Sequence, residues 1–402
     1  MVIREYSKVE LVFSSSESEA IKIALVNLRR DLIRTLDCSV TAGGIIRILV
    51  GTVGNLPELD EKADISKLRA EDGTYRKEAF LIQEKDGELL IVGTDRRGTI
   101  YGIYDFCEWL GVSPWYFFAD VPVRRRSEAV IENGYCKVDY PSVEYRGIFI
   151  NDEEELEHWV WRYMGETTIG VKTYEKIFEL LLRLKLNYIW PAMHVNSFNL
   201  KQENGALANR MGIVVGTSHC DMLMRSNNRE WKPWLAKKGY TDVEYDFSIP
   251  GRNREILKEY WRESVEQNRD FEVSYTVGMR GIHDSGFETK SLEGLTGEKL
   301  LKAKIELLES VMAAQQEILS ETLDTEPMKT FVPYKEVLEL YDNGLKVPED
   351  LTLIWTNDNY GYVRRYPGEK EKARKSGNGI YYHNSYWAPP GASYLLNSNV
   401  SH

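Results

Sequence analysis

A chain of 402 residues, 43% hydrophobic, is long enough for two cores and globular in composition. Its formal charge of −11 offers no basic face to nucleic acid or an anionic bilayer, and no apolar run approaches the ~18–20 residues of a membrane span. Four cysteines (Cys38, Cys107, Cys136, Cys220) without CxxC spacing indicate neither zinc nor a redox pair; no apolar leader opens the chain, so the expected setting is cytoplasmic, or secreted if a signal has been removed.

Residues 1–138 read as a small α/β domain. SSESEAIKIALVNLRRDLIRTL has helical period behind a Ser/Glu cap, and IIRILVGT reads as a strand. EAFLIQEKDGELLIVGTD predicts a hairpin turning at Asp86-Gly87, and RRGTIYGIYDFCEWL a helix closed by Gly111. The glycines of GTDRRGTIYG lack the spacing of a phosphate-binding loop. A break in composition follows at Pro122, Arg124 to Arg126, Asn133-Gly134 and Pro141, and the second domain is taken as 139–402.

From Tyr145 apolar strands alternate with helical patterns, as in βαβ units. The strands are YRGIFI (145–150), NYIWPAM (187–193), GIVVGTS (212–218), EVSYTVGM (272–279), KTFVP (329–333), LTLIW (351–355) and GIYY (379–382). The clearest helices are 174–185, 254–268 and 298–322. The prediction is a (β/α)8 TIM-type barrel that stops before its last strand.

Each strand ends in polar groups that do chemistry. In order these are Asp152-Glu153, His194, His219, Arg280 with His283 and Asp284, Tyr334-Lys335-Glu336, Asp358-Asn359, and His383. Four of the six histidines fall in these windows. Singly, each has a plainer reading: Asp152 as a helix cap, Glu336 as a first-turn acid, Arg280 as partner of a buried carboxylate. Together, at the C-terminal ends of barrel strands, they point to one site. There is no GxSxG, Cys/His nucleophile pair, P-loop or HExxH. Carboxylates, imidazoles and aromatics such as Trp190 and Tyr386 suit glycoside hydrolysis, in which one carboxylic acid protonates the leaving oxygen and another carboxylate activates water. A metal hydrolase using the same His and Asp is the main competitor, and spacing does not decide between them.

At these residues the chain resembles the xylan α-1,2-glucuronidases of glycoside hydrolase family 115. The matching stretches are YRGIFINDEE, FELLLRLKLNYIWPAM, GIVVGTSH, GMRG followed by Asp284, YKEVLELY, LTLIWTNDNYG and GIYYHNSY. The front portion, GTDRRGTIYGIYDFCEWLGVSPWYFFADVPV, resembles an accessory domain shared with other glucuronidases and hexosaminidases. The resemblance implies inverting removal of glucuronic acid, or its 4-O-methyl ether, from glucuronoxylan or glucurono-xylooligosaccharides, without metal or cofactor. Glu336 would be the general acid, with Asp358 and Asp284 as catalytic partners and Asp358, Asp284 or Glu153 as the base. Asp152, Glu153, Trp190, His194, His219, Arg280, Asn359, His383 and Tyr386 would line the pocket, Arg280 facing the substrate carboxylate. Two places depart from the family pattern: His194 stands where an aromatic is common, and Cys220-Asp221 follow GTSH in place of a His and a Glu. Expected partners are the carbohydrate and, in assembly, a homodimer, with neither nucleic acid nor membrane. The alternatives are another barrel exo-glycosidase of hexosaminidase type, or an inactive carbohydrate-binding fragment.

Overall fold

The computed structural model describes residues 1–151, 153–358, 362–383, 385–388 and 393–396, the last two segments by backbone alone. Asp152 and Asn359 therefore lie outside the described residues, as does the side chain of Tyr386. The chain forms two compact units. One comprises Met1–Ile148, Val171–Tyr188 and Ala206–Val214; the other comprises Phe149–Gly170, Ile189–Gly205 and Val215–His402.

The first unit is built on a six-stranded mixed sheet. Helix Glu19–Leu36 begins where the periodicity predicts: Ser18 caps it by accepting from the Ile21 amide. Its apolar face, Ile21, Leu25, Leu28 and Leu32, is buried. Strands Phe80–Lys85 and Glu88–Gly93 form the expected hairpin, with positive φ at both Asp86 and Gly87 as a two-residue turn requires. Helix Arg96–Leu110 ends at Gly111 in the left-handed conformation. At its start the Asp95 carboxylate accepts from the amides of Arg97 and Gly98. An acid thus occupies the helix N-terminus at GTDRRG, where a phosphate loop would present bare amides.

All seven expected barrel strands form. We number them β1 (Gly147–Phe149), β2 (Tyr188–Trp190), β3 (Val214–Val215), β4 (Ser274–Thr276), β5 (Met328–Phe331), β6 (Thr352–Thr356) and β7 (Asn378–Tyr381). One sheet runs β3-β2-β1 and another β4-β5-β6-β7, with a parallel bridge from Val215 to Val273 between them. The pairings in β4 to β7 are all parallel. Sequential strands in order 1 to 7, joined by helices such as Arg252–Asn268 and Gly297–Thr322, follow the order in which a barrel is built. Among the described residues no strand pairing closes β7 onto β1. Inward aromatics meet there instead: Tyr381 of β7 lies 5.4 Å from Phe149 of β1 and 5.2 Å from Trp190 of β2, measured between ring centroids. Such edge-to-face and tilted contacts add ~0.5–1.5 kcal/mol each beyond the area they bury. Segments Ser385–Ala388 and Ser393–Leu396 pair antiparallel as a hairpin of their own.

Candidate active site

The polar ends of strands β3, β4, β5 and β7 meet within the second unit. The turn after β4 is tight. Its Gly281 has no room for a Cβ, which would stand 2.0 Å from Ser285 Oγ. The next residues, His283 (φ 55°) and Asp284 (φ 60°), both take the left-handed conformation, and Lys335 after β5 does the same (φ 50°). Each such non-glycine residue costs ~1–3 kcal/mol, and here they aim the functional groups.

Arg280 is the hub. It is only 3% exposed. Its Nε and one terminal nitrogen each donate to Glu336 at 2.9 Å, a bidentate pair, and its other terminal nitrogen pairs with Asp284. Asp284 also accepts from Lys335 Nζ at 2.7 Å and lies 2.9 Å from His219 Nε2. Two cations and two carboxylates therefore form one balanced cluster. Burial pushes the Glu336 carboxyl up, but the Arg280 hydrogen bonds and charge outweigh it, with the Phe287 amide helping, and the net shift is down. Lys335 is lowered by burial and by Arg280.

The two histidines are neutral for a shared reason. Burial first, then the charges of Arg280 and Lys335, pull His219 down to about 3. Burial, His219 and Lys335 pull His383 down to about 4. His383 is oriented by Asn357, whose side-chain oxygen accepts from the His383 amide and lies 2.9 Å from Nδ1, while its nitrogen donates to the His383 carbonyl. That pattern assigns the proton to Nδ1 and makes Nε2 an acceptor. In His219 the contact with Asp284 places the proton on Nε2; Nδ1 is buried with no partner among the described residues. Tyr334 packs its ring 4.6 Å from that of His219 and 6.4 Å from that of His383.

A cavity of about 280 Å³ is lined by Tyr334, Lys335, Leu338, Thr356, Asn357, Asp358 and Arg364, and shares Lys335 with the cluster. Asp358 sits on its wall, paired with Arg364 and accepting from the Tyr362 amide at 3.0 Å.

The remaining expected site residues divide. Glu153, 1% exposed, accepts from the amides of His194, Val195 and Asn196, so its visible task is to hold the turn after β2. Trp190 is 5% exposed and packs among the inward aromatics. His194 does not join the cluster around Arg280: its ring meets His283 and Glu154. Arg280, expected to face the substrate carboxylate, spends its nitrogens on Glu336 and Asp284. Lys335, Tyr334 and Asn357 stand at the strand ends picked out in the sequence, but no role was assigned to them there. Their position at the ends of β5 and β6 was the available signal; Lys335 stays exposed, and what only the structure shows is its ion pair with Asp284.

Among the described residues His219, Cys220 and Asp284 bring ligand atoms within 4.8 Å of one another. Arg280 and Lys335 already neutralise the carboxylate of that trio and would repel a cation there.

Carboxylates and neutral imidazoles gathered at the C-terminal ends of parallel strands stand where an α/β barrel protein carries its site. Residues 138–401 match the model of glycosyl hydrolase family 115. A solved family 115 4-O-methyl-α-glucuronidase with specificity for decorated arabinogalactans is 36% identical over 97% of this chain, with a TM-score of 0.85. The chain belongs to glycosyl hydrolase family 115. It spans 50% of the length of that solved relative. The β-N-acetylhexosaminidase of Bacteroides fragilis NCTC 9343 (TM-score 0.50, 13% identity, 89% of this chain and 67% of that one) shares the fold alone. The same holds for the exo-β-N-acetylglucosaminidase of Vibrio harveyi (TM-score 0.52, 12% identity, 89% and 56%). No curated protein matches the chain significantly.

Proposed function

We propose that this chain carries the catalytic barrel of an α-glucuronidase that removes (4-O-methyl)glucuronic acid side chains from a plant polysaccharide with inversion. Family membership sets the reaction class, and the observation that carries the reading is the four-charge cluster of Arg280, Lys335, Glu336 and Asp284, whose Lys335 also lines the cavity walled by Asp358. Glu336 and Asp284 grip one guanidinium from two sides, so two carboxylates are held near each other without collapsing together. Inverting hydrolysis needs such a pair with room for a water between its members.

Glu336 is the proposed acid. In the free chain Arg280 keeps it ionised, so its proton arrives only in the complex. The uronate is an anion; entering the cavity beside Lys335, it competes for the cations and raises the neighbouring carboxyl. Asp284 or Asp358 then serves as the base, and His219 and His383, being neutral, give and take hydrogen bonds to sugar hydroxyls without adding charge. The substrate choice is glucuronoxylan, with decorated arabinogalactan, the preference of the solved relative, as second reading.

The test is release of the uronic acid from each polymer by the full chain and by Glu336→Gln. General acid catalysis contributes ~10²–10⁴-fold, so the variant should lose at least about 100-fold on the polysaccharide and much less on an aryl α-glucuronide whose leaving group needs no proton. Equal loss on both would remove the acid role. Release of N-acetylhexosamine instead of uronic acid would overturn the substrate class.

A further inference from the structure

The segment after β1 carries aromatic side chains that the proposed mechanism does not use. Both its ends are fixed to the turn after β2: Glu153 accepts from the amides of His194, Val195 and Asn196, and the Ile169 amide donates to Asn196 Oδ1 at 3.2 Å. Between them a short helix, Glu154–Trp159, runs into a π-helical turn, Val160–Met164, closed by Gly165 in the left-handed conformation. Val160 is fully buried and anchors that turn, which leaves Trp161 69% and Tyr163 63% exposed. We propose that Trp161 and Tyr163 form a platform on which the uncharged main chain of the polysaccharide stacks, beside the site that takes its uronic acid; the identity of the polymer rests on the glucuronidase reading.

A single exposed aromatic calls for no explanation, but two on one turn, held in place and rimmed by charge, mark a binding surface. Of the described tryptophans none is more exposed than Trp161. Tyr163 is braced: the Trp159 ring lies 5.8 Å from its own, and the Arg162 guanidinium 5.5 Å from its centroid. Braced rings lose little freedom when a ligand settles on them, and π-helical turns, rare in general, concentrate at functional sites. The platform is continuous with the active site. Asp284 of the charge cluster adjoins His283, whose ring lies 4.1 Å from that of His194, and His194 Nε2 lies 3.5 Å from Glu154 Oε1. Seven residues of helix then separate Glu154 from Trp161, about 10 Å of rise. The charges choose the occupant. Glu154, Glu155 and Glu157 crowd the first turn and repel an anion, so the uronate-bearing branch is unwelcome there and a neutral run of pyranose rings is not. The C–H faces of such rings are apolar, and a Trp or Tyr face covers them as it covers other apolar surface.

The experiment measures retardation of the full chain in native gels containing glucuronoxylan or arabinogalactan, with Glu336→Gln present so that the polymer survives. Adding Trp161→Ala and Tyr163→Ala together should weaken binding at least about 5-fold, two stacking contacts at the low end of their usual worth. Trp115→Ala, another exposed tryptophan, should bind as before. With Glu336 intact, the double variant should lose at least about 5-fold more kcat/KM on the polymer than on an aryl α-glucuronide, which has no main chain to stack. Undiminished retardation of the double variant, while the parent chain still releases uronic acid, would overturn the platform and leave the glucuronidase reading standing. Retardation lost in the variant with no uronic acid released by the parent would keep the platform and remove that reading. No retardation of the parent, equal loss in Trp115→Ala, or a dimer in light scattering that the double variant alone dissociates would each overturn the assignment as well.

Discussion

Replacing Arg280 by Met keeps most of the side-chain volume and removes the charge that holds Glu336 and Asp284. Breaking a buried ion pair from one side costs ~3–5 kcal/mol. Glu336 is 23% exposed in its side chain against 2% for Arg280, so solvent recovers part of that, and we expect a loss of about 2–3 kcal/mol at pH 7. The pH dependence is the sharper part. In the native chain the Glu336 carboxyl titrates below its ordinary value. Its stabilisation is therefore present above the ordinary pKa of ~4.3 and is lost as pH falls through the lower native one. In Arg280→Met burial is opposed only by backbone amides such as that of Phe287, and the carboxyl titrates higher than in the native chain, so protonation on acidification relieves the variant. His219, no longer facing Arg280, also protonates more readily and shifts the balance the same way. The gap between the two proteins should thus be widest near pH 7–8 and narrow steadily towards pH 4. Urea unfolding followed by tryptophan fluorescence at several pH values measures it. A gap that is constant with pH would refute the argument, since lost packing alone does not titrate.

Two further predictions concern the supports of the site. Glu153→Gln keeps the shape but weakens three charge-assisted contacts to the amides of residues 194–196; a loss of ~1–3 kcal/mol is expected, with faster amide hydrogen exchange in that turn, and unchanged exchange there would count against it. His219 and His383, depressed to about 3 and about 4, stay neutral in the native chain while the unfolded chain takes up protons below ~6.5, so both lower stability as pH falls from 7 to 4. Imidazole resonances that titrate near ~6.5 in the folded protein would show that neither ring is desolvated as described.

Local pattern made the architecture legible. Runs such as LTLIW and GIYY are β-branched and aromatic, bear no charge and are bounded by turn formers, and they become β6 and β7 within a residue or so of their predicted limits. Helices 254–268 and 298–322 were visible because one apolar stripe at helical period must be buried, and caps such as Ser18, Asp95 and Gly111 act within a turn of themselves. The same logic located the site, since the C-terminal end of a parallel strand is where backbone direction delivers side chains to a common rim.

Sequence alone therefore determined the order of strands and helices, the family, and the short windows from which functional groups come, all of them properties of neighbouring residues. Who pairs with whom was decided only in three dimensions. Arg280 reads as a substrate anchor in isolation and becomes the clamp between Glu336 and Asp284; His194 leaves the pocket for His283; Lys335, still exposed, pairs with Asp284. These outcomes depend on polar groups 50 to 90 residues apart coming within 3 Å of each other, and no local pattern carries that information.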